Sequence, residues 1–179
     1  MPDPPPIFTV GHSTRSIGEF AALLHRGAVE LVVDVRTVPR SRHNPQYDEG
    51  VLGAELGAYQ IAYERMPALG GLRGRSPEVA PEVNGYWDNQ SFHNYADYAL
   101  SDEFAAALGE LLQISSARPC SIMCAEAVWW RCHRRIIADY LLARHRTVCH
   151  LMGIDRVQPA QLTPAAKIDD GRITYPRDG

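Results

Sequence analysis

The sequence predicts an α/β fold: a mainly parallel sheet of about five strands, helices on both faces, and a Rossmann-like single domain. Three observations carry this expectation. Short apolar runs alternate with amphipathic stretches along the chain. Leu31 to Val35 is continuously apolar, as expected of a strand buried on both faces. No repeat and no low-complexity linker divides the 179 residues. Strands joined through helices pair in parallel by right-handed crossovers.

In chain order, Ile7 to Val10 reads as the first strand. Ser16-Ile17-Gly18-Glu19 is a capping box, in which serine caps and glutamate returns to the N-cap amide. Phe20, Leu23 and Leu24 follow at helical spacing, and Gly27 stops the helix. Leu31 to Val35 is the second strand, Asp48 to Tyr59 a second helix, and Ile61 to Tyr63 a third strand. Residues 69–94 are rich in Gly, Pro and Asn and read as a long loop, a candidate lid. Phe92 to Leu100 and Phe104 to Leu112 read as helices, with Ser101 as a cap between them. Ser121 to Cys124 is the fourth strand, Cys132 to Arg144 a helix, and Thr147 to Leu151 the fifth strand. Ile168 and Ile173 flank Asp169-Asp170-Gly171, a hairpin signal. Residues 1–179 are thus expected to form one domain, with 1–6 as a flexible N-terminal tail and 153–179 as a C-terminal extension.

Hydrophobic residues make up 45% of the chain and charged residues 22%, enough for a core without disulfides. The net charge of −3 offers no basic field for nucleic acid, so any anion site must be a local arginine cluster. Met1 to Pro6 lacks an apolar signal-peptide core, and no run approaches the ~20 apolar residues of a membrane span. A cytoplasmic, membrane-free protein is expected, its four cysteines free thiols.

In open α/β sheets, ligands bind beyond the carboxyl ends of the strands. The polar oddities of this sequence cluster there. The first strand runs into Gly11-His12-Ser13-Thr14-Arg15. The second runs into Asp34-Val35-Arg36 and Pro39-Arg40-Ser41-Arg42-His43. The fourth runs into Cys124-Ala125-Glu126 and Arg131-Cys132-His133-Arg134, and the fifth carries Cys149-His150.

Four segments together resemble the domain-of-unknown-function family 488, over roughly residues 7 to 152. They are Thr9-Val10-Gly11-His12-Ser13, Asp34-Val35-Arg36-x-x-Pro39-x-Ser41-Arg42, Leu69-Gly70-Gly71-x-Arg73 and Met123-Cys124-Ala125-Glu126-x5-Cys132-His133-Arg134. The resemblance implies a grouping and no mechanism.

The residues themselves point to an enzyme with a pocket for an anionic, nucleotide-like or nucleic-acid substrate. Hydrolysis by carboxylate acid–base catalysis is the leading expectation. Glu126, beside tryptophans, is expected to be partly desolvated and so suited to proton transfer, with Asp34 as the second carboxylate. Cys124 is a candidate nucleophile, its thiolate favoured by a helix N-terminus and by Arg131 or His133; the nearest arginine gives Cys-x6-Arg. Arg36, Arg42, Arg73 and Arg134 are anion-binding candidates, with His12, Ser13 and His133 as further substrate contacts. The alternative to carboxylate or cysteine catalysis is a non-catalytic ligand- or metal-binding protein. No cofactor is predicted and Cys-x7-Cys-His matches no zinc-knuckle spacing, but His12, Cys124, Cys132, His133 and His150 could still converge in space on a metal ion. Trp87, Trp129 and Trp130 divide between base stacking and core packing.

Overall fold

The computed structural model describes residues 2–177. Eight strands and five α-helices follow in the order β1 (Ile7–Gly11), α1 (Ile17–His25), β2 (Leu31–Asp34), α2 (Glu49–Gly57), β3 (Ala62–Arg65), α3 (Gln90–Tyr98), α4 (Asp102–Ala117), β4 (Cys120–Cys124), α5 (Arg134–Ala143), β5 (Val148–Gly153), β6 (Arg156–Pro159), β7 (Lys167–Asp169) and β8 (Arg172–Thr174). Six strands form one sheet in the order β3-β2-β4-β1-β5-β6. Pairs β3-β2, β2-β4, β4-β1 and β1-β5 are parallel, and β6 closes the edge antiparallel to β5. The expected five-stranded parallel sheet is therefore present, extended by one edge strand that sequence periodicity did not reveal. Strand β6 has the burial of a solvent-facing edge, so it carries no apolar run to read.

Local chemistry explains the helix starts. Ser16 Oγ accepts from the Glu19 amide at 3.1 Å, and the Ser16 amide donates to Glu19 Oε1 at 3.0 Å, the reciprocal capping box. Ser101 caps α4 through the Phe104 amide, and Asn89 caps α3, which starts at Gln90, two residues before the expected start at Phe92. Asp48 precedes α2 but makes no side-chain cap; its carboxylate accepts from the Ser41 amide at 2.8 Å and ties down the loop after β2.

The helices cover both faces of the sheet. Phe20, Leu23 and Leu24 of α1 and Leu52 and Leu56 of α2 pack with Val10, Val32 and Met123. Tyr95, Phe104, Leu108, Leu111, Ile136 and Ile137, from α3, α4 and α5, pack with Ile7, Val33 and Ile122 on the other side. The hairpin β7-β8 turns at Asp170 and Gly171, both at positive φ, and seats Ile173 in that second core.

This arrangement fixes where a crevice opens. From β1 the chain moves through β2 to β3 in one direction along the sheet; from β4 it crosses to β5 in the other. The helix after β4, α5, therefore packs on the face opposite to α1 and α2, which follow its neighbours β1 and β2. Loops leaving such a switch point part and leave room for a ligand.

The loop after β4 crosses the end of β1 at very close range. A Cβ at Gly11 would lie 1.7 Å from the Glu126 carbonyl oxygen, so only glycine fits there. Gly11→Ala is expected to cost about 3 kcal/mol or more and lower the melting temperature by about 6–12 °C. Gly109→Ala, on an open stretch of α4 with nothing within 4 Å, should instead be neutral or stabilising by up to about 1 kcal/mol. Parallel thermal melts of the two variants check the contrast; equal melting temperatures would contradict this packing.

Candidate functional site

A cleft of about 420 Å³ opens at the switch point. Its lining comes from the segments after β2 (Arg36 to Val38, and Arg40), after β4 (Cys124 to Glu126), and before α5 (Arg131 to His133), with Gly71, Leu72, Asn89, Ser91 and Phe92 opposite. The size is that of an ordinary small-ligand site.

The floor of the cleft is built around Arg134. Its side chain is 0% exposed, yet among the described residues no carboxylate pairs with it. Nε donates to Cys124 Sγ at 3.0 Å, Nη1 to Thr9 Oγ1 at 3.0 Å, and Nη2 to the Glu126 carbonyl at 2.7 Å. An uncompensated buried guanidinium is costly, by several kcal/mol per ion. The groups beside it that can supply a negative charge are two thiols. Cys124 Sγ and Cys132 Sγ lie 2.7 Å apart, inside ordinary sulfur–sulfur contact, and the Arg134 amide, at the start of α5, points at Cys132 Sγ from 3.4 Å. The two cysteines are 3% and 6% exposed, both towards the cleft.

The electrostatics follow from this geometry. Burial pushes the Cys132 thiol up. The Cys124 hydrogen bond, the Arg134 guanidinium and the Arg134 amide outweigh it, so that Cys132 falls from 9.0 to about 7. Burial, with the hydrogen bond and charge of Cys132, pushes Cys124 well above the usual thiol range. The pair thus loses its first proton near neutral pH and its second with difficulty, and once singly deprotonated it sets a negative charge against Arg134. His133 completes the floor. Its Nε2 lies 2.9 Å from the Val35 carbonyl, which can only accept, so Nε2 carries the proton. Burial lowers the His133 pKa, and in the neutral ring Nδ1 offers a lone pair to Cys132 Sγ at 3.4 Å. A Cβ at Gly71 would lie 2.5 Å from that Nδ1, and one at Gly70 would lie 2.7 Å from Thr37 Oγ1. The Leu69-Gly70-Gly71 segment is glycine-rich because it lies directly on the site.

A second set of polar groups stands behind the floor. Thr9 Oγ1 accepts from Arg134 and so donates to His150 Nδ1 at 2.6 Å; the His150 ring stacks on Trp129 at 4.7 Å and 6°. Asp34 is fully buried, and both its oxygens are occupied. Oδ1 accepts from the Arg36 amide at 3.0 Å and from Arg36 Nε at 2.9 Å, while Oδ2 accepts from Arg36 Nη2 at 2.7 Å and from the Tyr63 hydroxyl. His12 Nδ1 donates to the Ser13 carbonyl at 2.7 Å, its ring stacks on Tyr47 at 4.0 Å, and Nε2 faces Arg36 Nη1 at 3.4 Å.

Of the residues singled out in the sequence, Cys124, Glu126, Arg36 and His133 line the cleft, and Arg134 lies under it. Asp34 and His12 sit behind Arg36 and do not reach the cleft: Asp34 is spent as the anchor of that guanidinium. The expected desolvation of Glu126 is not found, because its side chain is exposed. Ser13 takes a left-handed backbone, φ 52°, and its amide donates to the Ala125 carbonyl, so it fixes the crossing of β1 and the β4 loop. Arg42 is exposed on the far part of its loop. Arg73 turns away from the cleft, capping the Gly70 and Pro67 carbonyls and lying 3.7 Å over the Tyr98 ring. Trp87 packs in the core against Tyr86, Phe92 and Tyr175, and Trp130 is 40% exposed. Sequence reasoning missed Cys132 as a reactive group and Arg40 and Arg131 as lining cations. Cys132 stands two residues before the first residue of α5, so its position beside a helix N-terminus was the available signal. Among the described residues, no group of three or more His, Cys, Asp or Glu side chains is placed to hold a metal ion, and no helix is long and apolar enough to cross a membrane.

Fold and site together define a mainly parallel α/β domain that carries a paired-thiol cleft at the carboxyl ends of its strands. The chain belongs to the family described as Domain of unknown function DUF488, whose model matches residues 16–141. That match takes in the β2 and β4 loops and the cysteine pair, while β1 with its Gly-His-Ser turn lies before it. Neither the curated proteins nor the solved structures contain a match.

Two buried histidines near the site have a consequence for stability. Burial lowers His12 from 6.5 to about 4, against the opposing contact to Ser13; burial and then Arg134 lower His150 to about 4. Both are neutral when folded, whereas in the unfolded chain each takes up a proton below about 6.5. Stability is therefore fully present above pH 6.5 and lost as pH falls towards 4, each histidine contributing on the order of 1–3 kcal/mol. Urea denaturation across this range checks it. His150→Gln should flatten the dependence, and an unchanged slope would contradict the account.

Proposed function

We propose that this domain is an enzyme that acts on a small anionic substrate through a cysteine thiolate, with Cys132 as the attacking group. The observation that supports it best is the pairing of the buried Arg134 guanidinium with sulfur rather than with carboxylate. A thiolate so stabilised is a nucleophile at neutral pH. His133 Nδ1, 3.4 Å from Cys132 Sγ, is the acceptor for its proton, and the Val35 carbonyl fixes the ring that presents it. The carboxylate mechanism finds less support, because Asp34 has no free oxygen and Glu126 lies open to water.

The anionic character of the substrate rests on the lining. Among the described residues, Arg40 and Arg131 bring positive charge to the cleft lining against a single carboxylate, Glu126, while Arg36 is paired with Asp34 and His133 is neutral. Arg40 and Arg131 are exposed side chains, available to a carboxylate, a sulfonate or the phosphate of a nucleotide. Val38, Leu72 and Phe92 form apolar walls for the body of the molecule.

Alkylation followed by peptide mapping tests this reading. A thiol near 7 holds about 100-fold more thiolate at pH 6 than one near 9, offset about 8-fold by its weaker nucleophilicity. Cys132 should therefore react with iodoacetamide at least about 10-fold faster than Cys149, the half-buried thiol of β5, which burial pushes above the ordinary thiol value. Iodoacetate, the anionic reagent, should gain on iodoacetamide at Cys132 relative to free cysteine, and lose that gain in the Arg40→Gln/Arg131→Gln double variant. Equal rates at Cys132 and Cys149 would refute the thiolate.

A further inference from the structure

We propose that the cysteine pair performs two-electron dithiol–disulfide chemistry, reducing a small disulfide that carries carboxylate or similar anionic groups, with Cys132 as the attacking thiol and Cys124 as the resolving one. This rests on the thiolate reading above and goes beyond it, since a single nucleophile needs no second sulfur.

The second sulfur is what the geometry supplies. Cys124 Sγ lies 2.7 Å from Cys132 Sγ, at the floor of the same cleft. A nucleophilic cysteine that only transfers an acyl or phosphoryl group gains nothing from a thiol at that range. A cysteine that forms a mixed disulfide is released by one. Arg134 serves both halves of such a cycle. Its amide faces Cys132 Sγ at 3.4 Å and its Nε faces Cys124 Sγ at 3.0 Å, so one residue stabilises whichever sulfur carries the charge.

The Cys132 thiolate attacks one sulfur of the substrate disulfide, forming the Cys132–substrate bond and breaking the substrate S–S bond; one substrate half leaves as thiolate. Cys124 gives its proton to that departing thiolate, or through His133 to solvent. The Cys124 thiolate then attacks Cys132 Sγ, forming the Cys124–Cys132 bond and releasing the second half as thiolate. The protein loses two electrons and the substrate gains them. An external low-molecular-weight thiol reverses the change on the protein. Oxidation removes the sulfur anion and leaves Arg134 buried with only neutral partners, which favours the return to the dithiol. The cleft selects the disulfide: Arg40 and Arg131 take its anionic groups, and Val38, Leu72 and Phe92 its apolar portion.

Dithiobis(nitrobenzoate), a dianionic aromatic disulfide, is the probe, used on the whole chain carrying Cys149→Ser to silence the half-buried thiol of β5. Cys120 stays silent by burial, which also pushes its thiol up to about 11. The expected result is release of two thionitrobenzoate ions per chain and a Cys124–Cys132 disulfide in the peptide map. Cys124→Ser in the same background should release one and retain the adduct on Cys132. The reaction should outpace that with neutral dithiodipyridine by a larger margin than free cysteine shows. Release of one ion with a stable adduct on Cys132 overturns the inference and leaves the thiolate reading standing. No adduct and no release at Cys132 overturns both. The count on the protein with both cysteines decides the matter even where the Cys124→Ser variant folds poorly.

Discussion

A guanidinium buried without a carboxylate is the constraint on which the site depends. Arg134 is enclosed by Cys124, Thr9 and the Glu126 carbonyl. Dipoles alone do not balance a full charge in a low-dielectric interior, and sulfur is the group at hand that can ionise. The rest of the floor follows from that need. Thr9 turns its proton to His150 so that its lone pair can face Arg134, and His150 is held neutral and stacked on Trp129. Two thiols in contact then share the remaining proton.

The sheet order explains why these groups meet. Strands β2 and β4 are parallel neighbours whose onward connections run in opposite directions along the sheet, so their carboxyl ends, with that of β1 beside them, form an open crevice. The β2 loop brings Arg36, locked in place by Asp34, and the β4 loop brings Cys124. The start of α5 returns Cys132, His133 and Arg134 to the same point. Gly11 allows the β4 loop to cross β1, and Gly71 allows the opposing segment to close on His133. Each of these glycines marks a place where backbone meets the site too closely for a side chain.

Much of this was legible in the sequence, and the reasons for the rest are physical. The buried parallel strands announced themselves by continuous apolar runs, and Ser16 and Ser101 marked their helices by capping chemistry. Strand β6 did not, because an exposed edge needs no apolar pattern. The strand ends at which the candidate cleft opens stood out by their polar residues. The roles within the cleft were not legible. Asp34 and Glu126 look alike as strand-end carboxylates, but one is tied down by Arg36 and Tyr63 while the other faces water. Arg73 and Arg134 look alike as motif arginines, but one caps carbonyls outside the cleft and the other carries its floor. Distinguishing them requires the partners that the fold brings from distant segments, which no local spacing encodes.

Thiolate absorbance in the far ultraviolet, followed against pH, tests most directly whether sulfur is the counter-charge of Arg134. About one thiolate per chain should appear with a midpoint near 7 and be missing in Cys132→Ser. A protein whose four cysteines all remain protonated until the ordinary thiol range would contradict it.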